Sequence, residues 1–122
     1  MSIIEAATKA MLLKKIQEAE WKMEEVPITK KTYCLADCTP FVGFHASGGN
    51  DRGEYWVIAS FSDKAVSVND EERLLEKTFV SEHWENCLSQ AREWLLANVD
   101  KAVEIWAKKY NPSQQKTAKG NQ

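Results

Sequence analysis

Apolar positions recur along this chain with two different periods, and the change of period divides it into elements. From Ser2 to Glu25, continuing to Val26, the residues Leu12, Ile16, Ala19, Met23 and Val26 are three or four apart, the spacing of one face of a helix. Ser2 stands where a cap is expected, with Glu5 three residues on. Pro27 and the β-branched pair Ile28-Thr29 end the pattern.

The period then shortens. Lys31–Ala46 is rich in Tyr, Thr, Phe and Val, residues that suit a pleated surface. Pro40 cannot donate to a ladder, so this stretch predicts two short strands, Lys31–Ala36 and Phe41–Ala46, or one bent strand. The run from Ser47 to Gly53 reads as a turn. Glu54–Ser62 follows as a strand, which makes a β-hairpin. Ser62-Asp63-Lys64 is a further turn, and Ala65–Val68 a further short strand. Arg73–Val80 fits a helix and a strand alike. The strand reading is preferred, because Ser81 suits the cap of the next helix. That helix is expected from Glu82 to Tyr110, with Trp84, Cys87, Leu88, Ala91, Trp94, Leu95, Val99, Ala102, Val103 and Trp106 on its apolar face. At 1.5 Å per residue it would be roughly 40 Å long, so it bends near Ala97-Asn98 or projects. Asn111-Pro112 stops it.

The expected fold is therefore α+β: an N-terminal helix, an antiparallel sheet of three or four strands and a long C-terminal helix. One domain spans 1–110. The polar segment 111–122 is too poor in apolar residues to pack and is expected to be disordered.

One strand breaks the ordinary alternation. Tyr55, Val57, Ala59 and Phe61 share one face, while Trp56, Ile58 and Ser60 share the other. A sheet with one wet face alternates apolar and polar residues. Phe41 and Gly43 likewise oppose Val42, Phe44 and Ala46. Either helices cover both faces, or the helices share one face and the second face meets another molecule.

Composition narrows the class. The chain has 122 residues and five tryptophans, enough for one core without staples. Tryptophan suits both cores and interfaces. The formal charge is −2, which provides no global attraction for nucleic acid. The middle of the chain is acidic and the end basic. The N-terminal segment lacks the layout of a secretory signal, and no run approaches the ~18 apolar residues of a membrane span. Three cysteines cannot all pair within one chain, which favours reduced thiols and a cytoplasmic setting.

Candidate chemistry is sparse. Cys34, Cys38, His83 and Cys87 could in principle supply a tetrahedral metal site. His83 and Cys87 are one helical turn apart, but four residues of strand separate the Cα atoms of Cys34 and Cys38 by about 13 Å, too far for one metal or a disulfide. Cys38 with His45 is the pair worth naming for a thiol nucleophile and base, without a glycine elbow or oxyanion signal beside it. The Gly48-Gly49-x-x-x-Gly53 cluster lies between strands, not before a helix as a phosphate loop requires. The segment from Arg52 to Phe61 matches the RNA-recognition strand at Arg52, Gly53, Trp56 and Val57, but Glu54 and Ala59 replace two of its aromatic positions.

No cofactor or metal is expected. The reading is a small non-catalytic protein-binding or regulatory module, such as a mobile-element accessory or inhibitor protein acting by occlusion. It would be a homodimer with a protein partner and no membrane association. The contact residues named for it are Trp56, Ile58, Trp94, Trp106 and Tyr110, with an acidic rim at Glu71, Glu72 and Glu76. The alternatives are a single-stranded nucleic-acid binder using aromatic stacking and lysines, and a metal- or thiol-dependent enzyme.

Overall fold

The period-3.6 pattern at the N-terminus produces a helix, α1 (Ile3–Glu18), that stops well before its stripe does. The computed structural model describes residues 3–26, 30–51, 53–64 and 73–110. Ser2, Ala65–Val68 and the 111–122 segment, each given an expectation above, lie outside the described residues. The last carbonyls of a helix need donors from elsewhere. Here Arg92, far along the chain, donates to the carbonyls of Ile16 at 2.6 Å and Gln17 at 3.4 Å. The backbone then turns at Trp21 and becomes a strand, β1 (Lys22–Val26). The expected helix to Glu25 is thus corrected: Met23 lies in a strand.

Four further strands follow: β2 (Lys30–Cys38), β3 (Val42–Asp51), β4 (Glu54–Asp63) and β5 (Arg73–Ser81). They pair antiparallel in the order β1-β2-β3-β4-β5, so each strand neighbours the next in sequence. The sheet has five strands, not three or four, because Lys22–Val26 joins it and Arg73–Ser81 is extended. Between β2 and β3 the Thr39 hydroxyl accepts from the N–H groups of Phe41 and Val42 at 3.2 and 3.0 Å, and donates to the Val42 carbonyl at 2.9 Å. This closes a tight turn around Pro40, where no ladder donor is needed.

The β3–β4 hairpin is tighter than its glycines suggest. Gly48 and Gly49 are paired strand residues, opposite Val57 and Trp56. The turn lies beyond them, where Asp51 pairs with Glu54, and Gly53 takes the left-handed φ of +84°. Asn-Asp-Arg-Gly therefore places its last glycine at the turn position that favours it.

After β5 the chain forms two helices, α2 (Trp84–Ala97) and α3 (Val99–Tyr110). The single long helix is corrected to two. Asn98 makes the break: its amide donates to the Trp94 carbonyl at 2.8 Å, its N–H to Leu95, and its own carbonyl accepts from Ala102. A straight helix of both segments would overrun the sheet, and the bend returns Val99, Ala102, Val103 and Trp106 to the core. His83, not Ser81, occupies the N-cap position of α2, while Ser81 accepts from the His83 N–H at 3.2 Å.

The core lies between the helices and one face of the sheet. Leu35, Phe44, Ala46, Val57, Ala59 and Phe61 point into it from the strands. Leu12 and Ile16 of α1, with Cys87, Ala91 and Leu95 of α2, are fully buried against them. Trp84 packs on Tyr33 and Tyr55 with centroids 4.6 and 4.7 Å apart, and Trp94 packs on Phe61 and Phe79. Phe41 meets Trp106 at 5.2 Å. At the end of β4 the wholly buried carboxylate of Asp63 meets the ammonium of Lys109 at 3.5 Å, so this charge is buried with a partner.

One buried polar atom is not matched this way. The Thr8 hydroxyl of α1 is inaccessible and has no hydrogen-bond partner among the described residues. Valine has the same shape without the hydroxyl, and an unpaired buried hydroxyl costs about 1–3 kcal/mol. Thr8→Val is therefore expected to raise stability by about 1 kcal/mol, read as a higher urea midpoint with an unchanged slope. A loss of stability would show that the hydroxyl is paired.

Candidate functional site

All three helices pack on the face of Leu35, Phe44, Val57 and Phe61. Among the described residues no element covers the opposite face. Of the two arrangements the sequence allowed, the chain adopts the one with both ends of its helical content on one side.

The strand register defines the uncovered face row by row. Gly49, Trp56 and Val80 form one row. Lys22, Cys34, Ser47, Ile58 and Thr78 form the next. Ala36, His45, Ser60 and Glu76 form the third, and Cys38, Gly43 and Ser62 the fourth. The face thus has two unlike halves. Trp56 is 38% exposed and Val80 56%, and with half-buried Ile58 they make an apolar ridge over β4 and β5. The remaining half carries small side chains beside His45 and Glu76 and forms a hollow of about 300 Å³. Ala36, Cys38, Gly43, His45, Ser62 and Lys64 line it.

The ridge is built on a glycine floor. A Cβ at Gly49 would meet the Trp56 ring at 3.3 Å, so the indole lies flat across its cross-strand partner. An aromatic laid over a strand glycine restores the packing that the missing side chain loses. The sequence feature that found this face was the lack of alternation in Tyr55–Phe61. What it overstated was the extent: Ser60 and Ser62 continue the same face without apolar character.

The thiols and imidazoles are distributed by the same parity. Cys34, Ala36 and Cys38 share the uncovered face, with His45 directly opposite Ala36. His45 therefore stands diagonally between the two thiols, and its Nε2 lies 3.6 Å from Cys34 Sγ. The pairing expected for His45 was Cys38. The β2–β3 register leaves both thiols diagonal to His45, and the orientation of its ring brings it against Cys34.

Cys87 lies on the other side of the sheet. It is fully buried under α2, and its thiol donates to the Tyr55 carbonyl at 3.4 Å with the Phe79 carbonyl 3.9 Å away. His83 is exposed at the start of α2. The four residues named for a metal are thus not brought together: Cys34 and Cys38 face outwards, Cys87 faces inwards. Among the described residues no group of three or more side chains is placed to hold a metal ion.

Burial pushes the Cys87 thiol above its ordinary value of 9.0, partly offset by a backbone hydrogen bond from Ser81. The unfolded chain loses this proton near the ordinary value, while the folded chain holds it to higher pH. Stability from this group is therefore complete below about pH 9 and declines as pH rises beyond it. A Cys87→Ala variant should lose less stability between pH 8 and pH 10 than the parent does, at roughly constant salt. In the native monomer, diluted until the sheet face is free, a thiol reagent should modify Cys34 and Cys38, and Cys87 only after denaturant is added. Three equally fast thiols would contradict this placement.

Of the other residues named for partner contact, Trp94 is half-buried against Phe61 and Phe79, and Trp106 is buried in the core. Both lie on the helical side of the sheet, away from the uncovered face. Glu76 is exposed on β5 and pairs with Arg73. Glu71, Glu72 and the Tyr110 side chain lie outside the described residues. Trp56 is the one aromatic among the described strand residues on the uncovered face, which leaves no run of stacking platforms there. Among the described residues, no helix is long and apolar enough to cross a membrane.

The fold and site define an antiparallel five-stranded meander with helices on one face and an open second face. Compared with models of known families, with curated proteins and with solved structures, the chain shows no match.

Proposed function

We propose that this chain is a non-catalytic protein-binding module that works through the uncovered face of its sheet and self-associates there as a two-fold dimer. One observation carries the reading: an apolar ridge at Trp56, Ile58 and Val80 shares that face with a hollow whose floor is the small residues Ala36, Gly43 and Ser62, with His45 and Lys64 at its rim. A two-fold contact brings the same patch together from both copies, so the patch must be self-complementary. A ridge beside a hollow meets this condition. Rotation by half a turn sets each ridge over the other copy's hollow.

The size is adequate. Four strands of nine or ten residues and a fifth of five, about 4.8 Å apart, make a plane of about 20 by 30 Å, near 600 Å² per copy. Two such faces exceed the roughly 1,000 Å² that marks a specific interface. Sheets stacked in this way lie about 10 Å apart, and the small residues of the hollow leave room for an indole at that spacing. Association of this kind acts by occlusion, since whatever surface the module covers becomes inaccessible.

Size-exclusion chromatography with light scattering tests the reading. Wild-type protein is expected at twice the chain mass at micromolar concentration. Trp56→Glu puts a carboxylate at the centre of the ridge and should weaken the dimer by about 2 kcal/mol or more, roughly thirtyfold in dissociation constant. Its circular dichroism should match wild type, because Trp56 is outside the core. A wild-type chain that stays monomeric across the micromolar range would sink the proposal.

A further inference from the structure

We infer that Cys34 and His45 form half of a zinc site, which a second copy of this chain completes. This rests on the face-to-face dimer proposed above. The two side chains lie on the uncovered face, with Cys34 Sγ 3.6 Å from His45 Nε2. A tetrahedral zinc holds a thiolate sulfur at about 2.3 Å and an imidazole nitrogen at about 2.0–2.1 Å. Ligands at those lengths and a tetrahedral angle are about 3.5 Å apart. The observed separation already matches that bite, so no backbone movement is needed to chelate the ion.

Among the described residues one chain does not complete the site. Cys38 lies four strand residues from Cys34, about 13 Å away at Cα. A cysteine holds zinc within about 5 Å of its own Cα, so the two thiols cannot share an ion. Asp37 points to the helical side, where Lys15 meets it at 3.6 Å. Glu76 is two strands from His45, about 9.6 Å at the usual strand spacing. Cys87 is under α2. Among the described residues each copy therefore offers two ligands where a closed structural zinc takes four.

A two-fold contact doubles the pair to two thiolates and two imidazoles. The geometry of stacked sheets suits this. Faces about 10 Å apart put their midplane about 5 Å above each strand, which is the reach of a cysteine-bound zinc. Cys34 shares its row with Ile58 of the ridge and His45 lines the hollow, so the pair spans the boundary along which a two-fold axis exchanging ridge and hollow must run.

The chemistry balances without any redox step. Each Cys34 thiol releases its proton to solvent as a zinc–sulfur bond forms, and each His45 binds as neutral imidazole. Two thiolates neutralise the ion's two charges, so the interface gains no net charge. Binding should consequently weaken as pH falls and the ligands reprotonate.

The test uses the full chain, freed of metal, with Zn(II) added in the presence of a chromophoric chelator, and Co(II) as a spectroscopic substitute. The expected stoichiometry is one metal per two chains. Cobalt should show the visible bands of a tetrahedral site together with thiolate charge transfer. Zinc should tighten the dimer about tenfold or more. Cys34→Ser and His45→Gln should each abolish metal binding and the zinc effect, while Cys38→Ser and Cys87→Ala retain both. Matching circular dichroism establishes that the variants fold. One metal per chain, no metal, or loss of binding in Cys38→Ser would overturn the site. If a dimer sensitive to Trp56→Glu persists without any metal response, the interface stands and the zinc site falls. If the chain is monomeric at every zinc concentration, both fall.

Discussion

Gly48→Ala is expected to destabilise this protein by about 3 kcal/mol, far more than the same change at the adjacent glycine. A Cβ at Gly48 would stand 1.7 Å from the Trp56 carbonyl oxygen, 2.7 Å from its carbonyl carbon and 2.9 Å from Val57 Cα. These are backbone atoms of the neighbouring strand, held by the ladder on both sides of β4. They cannot turn aside as a side chain can. Strand glycines mark places where another backbone comes close, and here β3 and β4 approach to a distance that excludes even a methyl group. Accommodation would require the two central strands to separate, which breaks ladder bonds and lifts Val57 out of the core.

Gly49 and Gly53 serve as controls. At Gly49 an added Cβ meets only the Trp56 ring, at 3.3 Å, and the ring lies on an open face where it can tilt. Gly49→Ala should cost about 1 kcal/mol or less. At Gly53 there is nothing within 4 Å, and the cost is that of a positive φ, about 1–2 kcal/mol. Urea unfolding of the three variants should rank Gly48 well below the others. Equal midpoints for Gly48→Ala and Gly49→Ala would contradict the close approach of the two strands.

Phe61→Ala is expected to cost about 3–5 kcal/mol. Phe61 leads the fully buried side chains by volume. It sits in β4 between Phe44 of β3 and Leu75 of β5, with the Trp94 ring above it at 5.9 Å. The loss depends on how far the surroundings can collapse into the space. Below it the sheet fixes the Cα positions. Above it Trp94 is also held by Phe79, so its ring cannot simply drop. Beside it lies the register shift between Phe61 and Ser62, where the ladder is already irregular. The cavity should therefore persist and the loss fall in the upper part of the range for aromatic truncation. Phe61→Leu retains most of the volume and should cost about 1–2 kcal/mol. A Phe61→Ala loss under about 1.5 kcal/mol would mean that the helices settle freely onto the sheet.

The two positions differ in how visible they are in the sequence. Phe61 could be assigned to the core from its place in Tyr55–Phe61, because successive strand side chains point to opposite faces. Gly48 could not. It sits in a run of Ser, Gly, Gly and Asn that resembles a loop, and its role comes from a neighbouring strand's backbone. The same limit explains the strand at Lys22–Val26. Met23 and Val26 continue the helical spacing of Ile16 and Ala19, yet the Arg92 guanidinium ends α1 from 76 residues away. Arg73–Val80 shows the complementary case: periodicity left two readings open, and the strand forms although the cap it was inferred from belongs to His83 and not to Ser81.

The candidate site divides similarly. That both faces of β4 carry apolar side chains was legible, and the structure leaves Trp56 exposed on the uncovered one. Trp94 and Trp106 were not distinguishable from Trp56 by residue type, since indoles serve cores and interfaces alike. The register, with its Thr39 hydrogen bonds in the Pro40 turn, places His45 diagonal to both thiols, and only the side-chain orientation sets it against Cys34 instead of Cys38.

By itself the sequence determined the class of fold, the alternation that sorts residues between two sheet faces, and the breadth of the apolar content in β4. These follow from local covalent geometry, with its periods of 2.0 and 3.6 residues. Only the tertiary structure decided that three helices share one face, that the helix after Ser81 breaks at Asn98, and that the second face combines a ridge, a hollow and a thiol–imidazole pair. Those outcomes depend on contacts between residues far apart in the chain, and local periodicity carries no information about which distant partner a face will meet.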